Sequence, residues 1–250
     1  MRRFLIVLGI AAVALGLGRG IDTAHAATLV VCKHGCPYTS IQSALKAATS
    51  GDTIQIRKGS YNEKLEITKN VALVGAGARE TSITSTSFGG FVIFVSPGTS
   101  ANINALSVTG GEPGIVNAGI LIAVDVEVSG GKIAARGGGI VNDGNLTLVR
   151  STVHNNVADR FGGGIFNEDR ARLTLQASKV QNNRVIRPGG AGGGIYNDSE
   201  RDDVRLEQGS SVSGNHPNNC FNVTGCSSPN LPSTPVPPSS LPFPVLPGSW

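Results

Sequence analysis

The chain has 250 residues, 40% hydrophobic and 5% aromatic, which is enough for one domain with a continuous core. Its formal net charge of +4 falls to +2 without the N-terminal segment, which holds three of the 21 Lys and Arg residues and one of the 17 Asp and Glu residues. With no basic cluster interleaved with aromatic residues, this small excess argues against a nucleic-acid-binding protein.

Residues 1–26 are predicted to be a signal peptide. Arg2 and Arg3 precede an uncharged apolar stretch, and Ala24-His25-Ala26 fits a signal-peptidase site. The apolar stretch is too short for a good transmembrane helix, and no second membrane-length segment follows. We therefore expect a secreted, extracellular protein with a mature domain over residues 27–227 and no membrane association after cleavage.

Four cysteines form two close pairs at opposite ends of the mature chain: Cys32 with Cys36, and Cys220 with Cys226. Four cysteines allow three pairings, but only the two local ones are within reach if a long stacked domain separates the ends. Export would allow both disulfides to form. A CxxxC metal or redox site is the alternative, although no second half of such a site is present.

The first predicted element is a helix over residues 40–48. Ile41, Ala44, Leu45 and Ala48 share one face, so this helix would cover the open end of a stacked core. Short segments of alternating apolar residues begin at Thr53 and continue to about residue 95. They indicate strands.

A Gly-Ile-x-Asn repeat then dominates the chain. It begins at residues 114, 139, 164 and 194, so the intervals are 25, 25 and 30 residues, and two further glycines precede each of the last three copies. A second repeat keeps phase with the first, and its copies begin at Val108, Val128, Val153, Val180 and Val212. In units this small, each strand pairs with its counterpart one coil away, and the two strands lie ~4.8 Å apart. The pattern predicts an all-β, single-stranded right-handed parallel β-helix (a solenoid) of about seven coils over residues 53–217.

Two further features complete the predicted architecture. The repeated Asn117, Asn142, Asn167 and Asn197 indicate an asparagine ladder, in which each side-chain amide bonds to its neighbours in the adjacent coils. Residues 228–250 hold eight of the 13 prolines and are predicted to be a disordered tail.

The N-terminal part of the domain resembles the pectin lyase-like superfamily. The resemblance rests on the capping-helix segment Tyr38–Leu45, on Gly51-Asp52-Thr53-Ile54, on Gly59-Ser60-Tyr61-Asn62-Glu63 and on residues 69–75. It implies a β-helix fold and extracellular polysaccharide as the partner. The Gln-Asp and Asp-Phe-Ile-Phe-Gly motifs of pectin methylesterases are missing, as are the signatures of polygalacturonases and pectate lyases. The resemblance therefore implies no particular reaction.

Candidate ligand-binding residues flank the repeats. Acids follow the ladder asparagines and arginines precede the glycine runs, and equal phase predicts one column of each: Asp143, Glu168, Asp169 and Asp198; Arg136, Arg160 and Arg187. The columns would form a groove for an acidic polysaccharide. The carboxylates would suit Ca²⁺, the only cofactor considered, and an arginine would neutralise a uronate or, as the resemblance implies, act as the base of a lyase. The alternative is a solvated surface without a ligand.

Two functional hypotheses follow for this chain, which we expect to be a monomer. The first is a protein that binds or processes extracellular carbohydrate and that, if it is an enzyme, is a polysaccharide lyase or a glycoside hydrolase using a carboxylate pair. The second is a non-catalytic structural or adhesive surface module. His154 is predicted to be an outward surface residue, because polar residues replace it in the other copies of its repeat.

Overall fold

The computed structural model describes residues 26–85, 89–133, 135–201 and 203–227. The predicted signal peptide, apart from Ala26, and the predicted tail from residue 228 onward lie outside the described residues.

The described chain consists of one short helix and many short strands, and the strands form the sides of the coils. The helix is α1 (Ile41–Ala47), and the strands are β1 (Thr28–Val31), β2 (Thr53–Ile56), β3 (Gly59–Asn62), β4 (Leu65–Ile67), β5 (Val71–Val74), β6 (Thr81–Ser85), β7 (Ile93–Val95), β8 (Ser100–Asn104), β9 (Ser107–Gly110), β10 (Ile115–Asn117), β11 (Ile120–Val124), β12 (Glu127–Ser129), β13 (Lys132–Ile133), β14 (Ile140–Asn142), β15 (Asn145–Val149), β16 (Thr152–His154), β17 (Val157–Ala158), β18 (Ile165–Asn167), β19 (Arg172–Gln176), β20 (Lys179–Gln181), β21 (Arg184–Val185), β22 (Ile195–Asn197), β23 (Val204–Glu207), β24 (Ser211–Ser213) and β25 (Cys220–Phe221).

The strands form four parallel sheets that run along the axis of a β-helix. Sheet A has the order β1-β2-β5-β8-β11-β15-β19-β23, sheet B β24-β20-β16-β12-β9-β6-β3, sheet C β25-β22-β18-β14-β10-β7-β4 and sheet D β13-β17-β21. Beyond β1, sheet A has one strand for each of seven coils. The predicted parallel β-helix and its coil number are confirmed.

The core is a column of apolar side chains inside the coils. In sheet A, Ile103, Ala123, Leu148 and Leu175 are aligned on successive strands, and each is at most 1% exposed. Each such leucine or isoleucine contributes roughly 1.5–3 kcal/mol by leaving water. Alternate residues point outward, which explains the period of two in the sequence.

The predicted capping helix is present, and a carboxylate from the first coil holds it in place. Glu63 accepts hydrogen bonds from the Ser40 hydroxyl at 2.7 Å and from the backbone amides of Ile41 and Gln42 at 3.0 Å each. Amides at a helix start have no partner within the helix. The Glu63 motif that underlies the family resemblance is therefore structural in this chain.

Buried amides connect the coils. Asn117, Asn142 and Asn167 each donate from Nδ2 to the Oδ1 of the next asparagine, at 2.8, 2.7 and 2.8 Å, and the last acceptor is Asn197. This confirms the predicted ladder. A second ladder, which we did not predict, joins Asn156, Asn183, Asn215 and Asn219 at distances of 3.0 to 3.3 Å. These bonds satisfy side chains that would otherwise be costly to bury.

Both ends of the stack carry a local disulfide. Cys32 is bonded to Cys36 and Cys220 to Cys226, as predicted. Val223 and Cys226 pack against the C-terminal end of the core, so the second disulfide loop helps to close it. In the parts of the chain that the structure describes, no helix is long and apolar enough to cross a membrane.

Candidate carboxylate site on the outer face

Three of the predicted acids lie in one row, which we call the carboxylate row: Asp143, Glu168 and Asp198. Each follows a ladder asparagine, and these asparagines pair in register across β14, β18 and β22. The backbone amide of each acid donates to the asparagine carbonyl of the preceding coil, at 2.8 to 2.9 Å. The spacing along the row is therefore one strand spacing, ~4.8 Å.

The expectation of a matching arginine column is wrong. Arg136 aligns with Phe161 and not with Arg160. Arg160 and Arg187 instead contact the same carboxylate, Asp159, at 3.9 and 2.8 Å. The reason lies in the loops, because the three arginines precede their glycine runs by one, two and five residues and so do not share a phase.

Arg136 is the arginine that reaches the carboxylate row. Its Nη1 lies 3.4 Å from Glu168 Oε2, and its guanidinium covers the ring of Phe166 at 4.9 Å from the centroid. The side chains of Arg136 and Glu168 are only 18% and 23% exposed. Asp169 lies outside the row, is exposed and pairs with Arg170 at 3.6 Å. Asp143, at one end of the row, is also exposed.

A stack of aromatic rings lies beside the row. Phe166, Tyr196 and Phe221 occupy the outward middle position of successive strands in sheet C. Tyr196 is nearly parallel to both neighbours, with centroid distances of 5.3 Å to Phe166 and 4.7 Å to Phe221. Phe161 packs on Tyr196 at 4.7 Å. We did not predict this stack, although the aromatic residues in the variable position of the repeat were a signal for it.

The rings are buried although they point away from the core. Phe161 and the glycines before β18 and β22 pass close to neighbouring backbone, and Phe166 and Tyr196 are at most 2% exposed. A methyl group on Gly163 would lie 2.5 Å from the Gly193 carbonyl oxygen, so only glycine allows this close approach. The glycine runs therefore shape the site as well as the coil.

Burial changes the ionisation of the row. The pKa of Glu168 is raised from 4.5 to about 7, chiefly by its removal from water; Arg136 opposes the shift, and the charges of Asp198 and Asp143 add to it. Partial removal from water also raises the pKa of Asp198 and, despite its exposed side chain, the pKa of Asp143. Burial raises the pKa of Tyr196 to about 12. Near neutral pH the Glu168 carboxyl can therefore both donate and accept a proton.

Several solved structures with a similar chain fold are pectin methylesterases. The enzyme from carrot superposes with a TM-score of 0.50 and 14% sequence identity, over 75% of this chain and 65% of that one. The enzyme from Erwinia chrysanthemi gives a TM-score of 0.46 and 16% identity, over 73% of this chain and 66% of that one. The chain shares the parallel β-helix fold of the carrot enzyme. No family model matches it, and no curated protein does.

The likeness to pectin lyase-like proteins establishes the fold alone. The identity is low, and the chain spans 65–66% of the length of these two enzymes. Within the described ranges, no group of three or more His, Cys, Asp or Glu side chains is arranged to hold a metal ion. The calcium hypothesis stays a prediction.

His154 lies on the outer face of sheet B, as expected of a surface residue. Its Nε2 is 2.7 Å from Glu127 Oε1, and its Nδ1 is 2.8 Å from Asn155 Nδ2. Ser129 and Gln181 are its register neighbours. Both ring nitrogens are thus engaged by groups other than a serine or cysteine nucleophile.

Proposed function

We propose that the protein binds and processes a carbohydrate polymer at the carboxylate row. The observation that carries the proposal is the carboxyl of Glu168, which has a pKa of about 7 and lies between the carboxylates of Asp143 and Asp198. Cleavage of a glycosidic bond uses one protonated and one ionised carboxyl. Glu168 would be the acid, and one of its neighbours would be the nucleophile or base.

The spacing of the row favours one kind of chemistry. Adjacent coils separate the backbones of Asp143, Glu168 and Asp198 by ~4.8 Å, whereas retaining glycosidases hold their carboxyl groups ~5–5.5 Å apart and inverting enzymes ~6.5–9.5 Å apart. A retaining hydrolase is therefore the favoured reaction. Tyr196 is buried beside the row, two residues before Asp198, and would add an apolar wall to the site.

The negative charge of the carboxylate row limits which polymers it can bind. Asp143 and Asp198 repel a uronate, and Arg136 is already engaged by Glu168. A neutral polysaccharide, or a pectin whose acid groups are esterified, fits the row directly. The acidic polysaccharide that we expected from the sequence would need Ca²⁺ to bridge its carboxylates to the row. We also propose that the protein acts outside the cell, because an oxidising compartment preserves its two disulfides.

A non-catalytic structural or adhesive module is the second candidate. One observation favours it: the repeated asparagines are occupied by hydrogen bonds between coils, as in the bond from Asn142 to Asn167. The ladders are thus explained by stability alone, and function is needed to explain only the carboxylate row and its arginine.

The decisive test is a glycan screen of the secreted protein. Neutral β-glucans, methyl-esterified pectin, polygalacturonate and alginate would be tested for binding and for new reducing or unsaturated ends, with and without Ca²⁺. We expect turnover that is lost in E168Q and in one of the two variants D143N and D198N but kept in D169N, the control outside the row. Binding without turnover would favour the module, and unchanged turnover in E168Q would disprove the proposed site.

A further inference from the structure

An inserted loop carries the most exposed large hydrophobic side chain of the described chain. Val157 pairs with Arg184 and Phe161 with Ala191, so this coil has three more residues here than the coil before it. The extra residues form a turn that is closed by a 3.0 Å bond from the Gly190 amide to the Arg187 carbonyl. Ile186, at the start of the turn, is 54% exposed.

Basic residues occupy outward positions in the strands and loops next to Ile186. Arg184 and His216 are exposed neighbours in one column that also contains Lys132. Arg160 and Arg187 flank the inserted loop. We call this set the basic face: Lys132, Arg160, Arg184, Ile186, Arg187 and His216.

The basic face holds little opposing charge. Asp159, which contacts both Arg160 and Arg187, has a side chain that is 17% exposed. Glu112 borders the face next to Lys132, because the Lys132 amide bonds to the Gly111 carbonyl. The four cations therefore outnumber the carboxylates on and beside the face.

The coil does not need these outward residues. In the same strands the inward Ala158 and Val185 are at most 3% exposed and supply the packing. An isoleucine side chain is disfavoured in water. The inserted turn nevertheless exposes one beside arginines, which makes an apolar tip next to positive charge. An anionic lipid surface matches both features, since it offers phosphates to guanidinium groups and an apolar layer to the tip.

We propose that the basic face docks on an anionic lipid bilayer, with Ile186 inserted at the headgroup boundary and Arg184 and Arg187 paired with lipid phosphates. A soluble polyanion would satisfy the arginines but would leave Ile186 in water. The basic face shares no residue with the carboxylate row, so the proposal does not depend on the proposed carbohydrate function. It revises our expectation of no membrane association, which came from the absence of a spanning segment.

The experiment is co-sedimentation of the secreted protein with phosphatidylcholine vesicles that contain or lack phosphatidylglycerol. We expect binding only to the anionic vesicles, with a steep loss at high salt. R184Q/R187Q should bind about 25-fold more weakly, at the usual contribution of each cation near an anionic surface. The matched R172Q/R205Q variant, which removes two exposed arginines of sheet A, should bind normally.

The role of the apolar tip is tested separately. I186S, which removes the apolar tip without changing the charge, should bind much more weakly, whereas I122S, at an isoleucine of sheet A that is 37% exposed, should bind normally. Equal binding to both vesicles, or full binding by I186S, would overturn the proposal. Retention on a heparin matrix that I186S leaves unchanged, without vesicle binding, would assign the face to a soluble polyanion instead. E168Q should bind vesicles normally, which separates this result from the glycan screen.

Discussion

Compared with the wild type, E168Q should be more stable at alkaline pH and about equally stable at acidic pH. The folded chain holds the Glu168 proton up to a pKa of about 7, whereas the ordinary value is 4.5. Because the pKa is raised on folding, stability is full below pH 4.5, falls as the pH rises towards 7 and is then constant. At ~1.4 kcal/mol per pKa unit, the loss is about 3 kcal/mol. Glutamine mimics the neutral carboxyl and removes this loss.

The assay is urea unfolding of the wild type and E168Q at pH 4.5, 6 and 8. The difference in unfolding free energy between the two proteins should move by about 3 kcal/mol in favour of E168Q between pH 4.5 and 8. The pKa of about 7 already contains the attraction of Arg136 for the ionised carboxylate, so this contact needs no separate allowance. D169N, at the exposed neighbour, should stay within ~0.5 kcal/mol of the wild type. A difference that is independent of pH would refute the burial argument.

Three other predictions concern the scaffold. Asn167→Ala should cost about 3 kcal/mol, because it removes the Nδ2 donor of the Asn197 side-chain oxygen and of the Ala171 carbonyl in a buried ladder. Asn145→Ala at an exposed position should cost little, and urea unfolding measures both. Glu63→Ala should lower the free energy of unfolding by about 2 kcal/mol by removing the cap of α1, and a change below ~0.5 kcal/mol would contradict that role. Gly163→Ala should cost at least about 2 kcal/mol by steric overlap, whereas Gly90→Ala, where a methyl group meets only the end of a lysine, should be nearly neutral by thermal melting.

The fold was predictable because its signals are local and repeated. The Gly-Ile-x-Asn copies place Asn142 and Asn167 in the same phase, and stacking then requires that they meet. The two cysteine pairs were predictable for a similar reason, since only near neighbours in sequence can meet at the ends of a long stack. The second ladder also had a signal, because Asn156 and Asn183 each lie three residues after the valine that begins a copy of the second repeat, but we did not draw that conclusion from it.

The candidate site was predictable only in part. The acids follow the repeat directly and keep its phase, so the carboxylate row was correctly aligned. The arginines lie in loops of unequal length, and Arg187 is displaced by the same insertion that exposes Ile186. An insertion in a loop shifts the loop residues relative to the coil before, although the repeat itself is unchanged. Counting residues back from the glycine runs therefore misplaces the loop arginines.

The sequence by itself determined the parallel β-helix, its capping helix, the asparagine ladder and the order of the acids along one edge. These features follow from hydrogen-bond register, which a periodic sequence repeats from coil to coil. The tertiary structure alone decided that Glu168 has a pKa of about 7, that Arg136 is its partner and that Arg160 and Arg187 face elsewhere. The burial of a side chain and the charges near it depend on which loops pack beside its strand. Those loops belong to distant, non-repeating parts of the chain.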